Sequence, residues 1–179
     1  FTGEDSLDVS IDAGNAGSST SPLGELDLNS TTDKLTVDGV SYSFSVGDSI
    51  SAFVGAQGTD GSSAFTVACT YGGPSNTLDD CGNVQSGFNA MSGSSLGGSY
   101  AFNDEVSVAF GYAGNGVDSS KGLGTSEGLD AVGINASYIT DTYGVSATYS
   151  SVETAQAKFG SYSDTSLAFN AYYSPEGFP

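Results

Sequence analysis

Residues 130–150, DAVGINASYITDTYGVSATYS, constrain the fold more than any other stretch. Val132, Ile134, Ala136 and Tyr138 fall on alternate positions, with Gly133, Asn135 and Ser137 between them. After Thr140, Asp141 and Thr142 the alternation resumes as Tyr143, Val145, Ala147 and Tyr149. A period of two belongs to a strand with one apolar and one polar face. Two such runs around a short polar turn predict a tight hairpin. Each arm is about ten residues long, the length at which a tilted strand crosses a bilayer. Tyr138 and Tyr143 flank the turn, where a membrane strand carries its interfacial aromatics.

The same pattern recurs along the chain. Leu7, Val9, Ile11 and Ala13 alternate with polar residues, and a second strand is expected over residues 34–46. In that strand Leu35 and Val37 share one parity, and Tyr42, Phe44 and Val46 the other. Asp38-Gly39 lies between them and predicts a β-bulge, because one extra residue flips the register. Gly47-Asp48 is a turn, and residues 50–56 form a third strand whose alternation Phe53 breaks. Leu96, Gly98, Tyr100 and Phe102 lead into Asn103-Asp104; Val106, Val108, Phe110 and Tyr112 lead out. Leu167, Phe169, Ala171 and Tyr173 make a last strand, preceded by a polar stretch over 153–164 that reads as a loop. About eight strands result, joined alternately by short turns and long Gly/Ser-rich connections. Short turns on one side and long loops on the other are the plan of a transmembrane barrel. Phe44, Phe102, Tyr138, Tyr143 and Tyr173 cluster near the short turns as an aromatic girdle.

With the apolar parity facing lipid, the opposite face reads Ser41, Ser43, Ser45; Ser107, Ala109, Gly111; Gly133, Asn135, Ser137; Gly144, Ser146, Thr148. Such small groups do not fill a narrow interior and suit a wide, water-filled lumen. The opposite assignment, bulky face inward, gives a secreted acidic β-sandwich that binds surface glycans or builds a cell-surface layer; this alternative stays open at the level of sequence. The expected fold is an all-β, antiparallel up-and-down transmembrane β-barrel, with residues 1–179 as one incomplete domain, about half of a barrel of roughly sixteen strands.

Charge narrows the function classes. The chain carries 21 acidic residues against three lysines, for a formal charge of −18, with no arginine and no histidine. A phosphate-neutralising surface is absent, so nucleic acid is excluded as a partner. Without histidine a Ser-His or Cys-His nucleophile is excluded, and among 21 acids a carboxylate pair is expected by chance; no catalytic residue and no enzyme is expected. Asp8, Asp12, Asp38, Glu105 and Asn135 fall on the lumen parity, where an acidic wall concentrates cations. In the long segment over residues 58–93, Asp60, Asp79 and Asp80 are candidates to line a constriction or to hold Ca²⁺, the one cofactor the acids suggest. Cys69 and Cys81, the only cysteines, predict a local disulfide and an oxidising compartment. A chain without an initial Met or a signal peptide is expected to be processed or part of something longer.

Four phrases carry a family resemblance: FTGEDSLDVSIDAGNA, DKLTVDGVSYSFSVGDSISAFVGA, CTYGGPSNTLDDCGN and SDTSLAFNAYYSPEGFP. They are similar to the porins of marine cyanobacteria, in which an S-layer-homology segment and a helical spacer precede a barrel like that of OprB-type carbohydrate porins. The resemblance implies a cell outer-membrane channel for passive diffusion of small hydrophilic solutes, sugars or ions. It further implies a homotrimer held in outer-membrane lipid and attached to peptidoglycan through a segment not in this chain. General porins set basic residues against acids at their constriction; with no arginine here, that half of the field would come from elsewhere.

Overall fold

A computed structural model describes residues 4–14, 31–59, 61–69, 88, 93–115, 124, 129–156 and 160–175. They form eight strands: β1 (Ser6–Asp12), β2 (Thr36–Val46), β3 (Ile50–Thr59), β4 (Gly93–Ala101), β5 (Val106–Asn115), β6 (Leu129–Ile139), β7 (Tyr143–Gln156) and β8 (Gly160–Tyr173). All eight lie in one sheet in sequence order, each antiparallel to the next. The sheet is open, with β1 and β8 as its two edges.

Short connections at 47–49, 102–105 and 140–142 share one end of the sheet, and their side chains build them. Gly47 has a positive φ of 65°, a conformation that costs glycine nothing. Asn103 accepts from the amides of Glu105 and Val106 at 3.0 and 2.7 Å, closing the β4–β5 hairpin. Thr140 does the same for β6–β7, its hydroxyl accepting from the Tyr143 amide at 3.0 Å. The bulge falls where the sequence places it: Ser10 pairs with Gly39 and Ile11 with Val37, leaving Asp38 as the extra residue. Leu35 and Val37 thereby join Val46 among the exposed apolar residues.

One expectation is corrected. Residues 153–164 are not a long loop: β7 runs to Gln156, β8 starts at Gly160, and the two stay in register out to that pair. Polar composition misled here. A ladder beyond the apolar band needs no apolar face, and Ser, Thr and Tyr suit a strand whose backbone groups are satisfied by its partner.

The two faces of the sheet differ sharply. Leu7, Phe110, Ile134, Val145, Tyr149 and Leu167, all on the apolar parity, are exposed. The small-residue face holds the core instead: Phe88, Ala131 and Val152 are buried together, with Phe65 and Leu129 packed against them.

Candidate functional site: a chain segment laid across the small-residue face

Pairing registers align the small residues into rows across the strands. One row reads Ser43, Phe53, Gly97, Gly111, Gly133, Ser150, Ser166. Its three consecutive glycines form a trough without Cβ atoms, and aromatic rings and backbone occupy it. A Cβ on Gly97 would lie 2.5 Å from the Phe53 ring. On Gly111 it would collide with the Gly61 carbonyl, and on Gly133 it would lie 2.5 Å from the Phe88 ring and 3.1 Å from that of Phe65. Phe65 and Phe88 pack against each other, ring centroids 5.4 Å apart and tilted by 60°. Glycine in a strand commonly marks such a close approach.

Residues 61–69, from the β3–β4 connection, run over these rows from one end of the sheet to the other. Gly61 lies against the backbone of Tyr112 on β5. The Thr66 amide donates to Asn135 Oδ1 on β6 at 3.0 Å, and the Ala68 amide to Ser146 Oγ on β7 at 2.9 Å. Cys69 then reaches the short-turn end, where it lines a cavity of about 560 Å³ with Glu105, Ile139, Thr140 and Tyr172. A segment crossing a sheet face obliquely cannot pair with it as a strand, so side chains must satisfy its amides. Asn135 is suited to this: only 1% exposed, it accepts from Thr66 while its amide group donates to Thr148 Oγ1 at 3.0 Å and the Ala147 carbonyl at 3.4 Å. Around it Ser107 and Ser137 share a hydrogen bond of 2.7 Å, and Ser150 and Ser166 one of 2.8 Å.

Replacing Asn135 by leucine is expected to leave the Thr66 amide and the Thr148 hydroxyl without these partners, at a cost of about 1–3 kcal/mol. Asn135→Asp keeps the acceptor for the Thr66 amide, but it loses the two donated bonds and sets a buried carboxylate oxygen against the Ala147 carbonyl, so overall stability falls while the Thr66 bond is kept. Amide hydrogen exchange at Thr66 checks both: strong acceleration in the leucine variant, weaker in the aspartate variant. Equal rates in all three proteins would mean the bond does not hold the segment.

The chain matches no protein-family model, no curated protein and no solved structure.

The residues singled out by sequence are distributed as follows. Asp8 and Asp12 lie on β1 on the small-residue face, opposite Ser41 and Thr36. Asp38 is the exposed bulge residue, and Glu105 sits in the β4–β5 turn beside the Cys69 cavity rather than on a strand wall. Asn135 and its neighbours do not face open water, as the lumen reading expects; Asn135, Ser137, Ser146 and Thr148 are buried beneath the crossing segment. Cys69 is disulfide-bonded, while Cys81, Asp60, Asp79 and Asp80 fall outside the described residues. Among the described residues no group of three His, Cys, Asp or Glu is arranged to hold a metal ion.

The aromatic positions gather at the short-turn end. Tyr100 and Phe102 meet edge to face at 4.9 Å, Tyr138 and Tyr143 pack at 5.8 Å with their rings tilted by 41°, and Tyr42 stacks on Phe44 at 5.7 Å. Tyr143 pairs with Tyr173 across β7 and β8. At the opposite end of the apolar face, the Tyr112 hydroxyl donates to the Asp130 carboxylate. Sequence reasoning missed Phe53, Phe65 and Phe88. A signal existed for the first, since Phe53 breaks the alternation of its strand on the small-residue parity. The other two sit in irregular sequence, where periodicity carries no information.

Proposed function

We propose that the chain forms part of the wall of an outer-membrane porin, a water-filled channel for passive diffusion of small hydrophilic solutes and ions. One observation carries this reading: the sheet exposes its bulky apolar face, while its own chain covers the small polar face over β5, β6 and β7. A soluble sandwich does the reverse, burying bulky residues between its layers. The exposed face is banded as a lipid-facing surface is, with aromatics at the short-turn end and the Tyr112–Asp130 pair at the other. In this reading the open edges at β1 and β8 pair with further strands of a larger barrel, the homotrimer and its cell-wall attachment involve surfaces beyond this chain, and residues 61–69 narrow the channel.

The acids define the expected ion preference. Asp8 and Asp12 stand on the small-residue face, and Lys34 is the only basic side chain among the described residues. A wall of one sign favours counter-ions and excludes co-ions. Single-channel recording of the full-length protein in a planar bilayer, under a salt gradient, tests both statements. Discrete steps with a cation-favouring reversal potential are expected, and Asp8→Asn with Asp12→Asn is expected to move that potential toward zero. Folded protein that gives no steps, and stays monodisperse without detergent, would favour the acidic sandwich instead.

A further inference from the structure

The small-residue face is covered unevenly. Over β6 and β7 the crossing segment buries Asn135, Ser146 and Thr148, and Ser150 is fully excluded from solvent. Over β2 and β3 the same face is open: Ser45 and Ser51 are exposed and Ser43 is half-buried. Between these strands and the flank of residues 61–69 runs a groove of about 250 Å³, lined by Glu4, Ser6, Ser43, Ser45, Ser51 and Ser63. Phe53, only 4% exposed with its ring over Gly97, stands at the border between the open and the covered parts.

We propose that, in the channel, solutes pass along this β1–β3 lane, and that residues 61–69 with Phe88 form a fixed partition keeping β6 and β7 out of the water path. The inference rests on the porin reading and says which strands the solute touches. Three features of the partition make it a wall rather than a mobile flap. Its amides are bonded to Asn135 and Ser146, its rings fill the glycine trough, and its end at Cys69 is held by a disulfide. The lane has the opposite character. Serine hydroxyls both donate and accept and rotate to suit a passing hydration shell. Glu4 lines the groove, and Asp8 and Asp12 continue along the same face of β1 beyond it, opposite Ser41 and Thr36. Its solutes are therefore small hydrated cations, which exchange shell water for hydroxyl oxygens as they move.

Thiol scanning of the full-length protein in bilayers, with its native disulfide intact and a positively charged methanethiosulfonate as the probe, tests the assignment. Ser43→Cys and Ser51→Cys are expected to react quickly, each modification lowering the conductance in a discrete step. Ser137→Cys and Ser150→Cys, beneath the partition, are expected to stay unmodified until the protein is unfolded. Two positions in each class guard against one variant that fails to fold. Equal reactivity in the two classes would overturn the partition, and unchanged conductance after modification at Ser43 and Ser51 would overturn the lane. Folded protein without any channel would instead retire the porin reading and the solute path with it. The labelling contrast, read in detergent, separates that result from a failed partition.

Discussion

Gly111→Val is expected to lift residues 61–69 off the sheet while leaving the strands paired. A Cβ at this position points at the Gly61 carbonyl, a backbone group that no rotamer change can move aside. Valine adds two methyl groups behind that collision. Forcing such volume into a packed contact costs about 1–3 kcal/mol, and here the weaker partner is the segment. Its ties over this stretch include two amide bonds and the packing of Phe65, with the disulfide holding only its far end at Cys69, whereas β5 is held by full ladders to β4 and β6. Valine also suits a strand better than glycine does, so the ladder itself is not weakened. The change is therefore local, a sub-global opening rather than unfolding. Hydrogen exchange at Thr66 and Ala68 should accelerate by roughly tenfold or more, the factor equivalent to about 1.4 kcal/mol. Amides of β5 and β6 should keep their protection. Gly133→Val makes a graded comparison, because the atoms it meets are the rings of Phe88 and Phe65, which can tilt away. Unchanged exchange at Thr66 and Ala68 in the Gly111 variant would mean that residues 61–69 are not seated in the trough.

The contrast between those glycines and the rest of the sheet shows what the sequence made legible. Alternation located the strands, and the Asp38-Gly39 bulge was readable because Leu35 and Tyr42 disagree in parity over a strand too short for a second turn. Which parity was covered was not readable. Bulky and small faces alternate identically whether the bulky one meets lipid or a second layer, and only the placement of residues 61–69 breaks the symmetry. That placement depends on non-local geometry. Gly97, Gly111 and Gly133 lie far apart in the chain and become one trough only through the registers of β4, β5 and β6. Asn135 was picked out as a polar group facing a lumen, but its role as acceptor for Thr66 required knowing what crosses above it. The outer ends of β7 and β8 were lost for another reason: where neither face is apolar, a strand leaves no periodic mark.

Ile134→Arg is expected to separate a lipid-facing sheet from one that merely faces water. Ile134 is 57% exposed and centred on the apolar face, flanked in register by Phe110 on β5 and Tyr149 on β7. It lies midway along β6 between Tyr138 at the aromatic end and Asp130 at the other, about 13 Å from each at 3.3 Å per residue. If this face meets hydrocarbon, that position is near the midplane, where an arginine costs about 2–4 kcal/mol in a membrane barrel. If it meets water, exchanging one exposed side chain for another changes stability by less than about 0.5 kcal/mol. The two cases differ by more than the error of a denaturant titration. Leu35→Arg supplies the comparison within the same protein. Leu35 is 74% exposed but lies just outside β2 at the long-connection end, where side chains reach the headgroups and the cost falls to about 0–1 kcal/mol. Folding of both variants into lipid vesicles, followed by equilibrium unfolding in guanidinium, should show a large loss for Ile134→Arg and little for Leu35→Arg. Near-equal stabilities would mean that depth along the strand does not matter, and depth dependence is the property that distinguishes a bilayer from any aqueous surrounding.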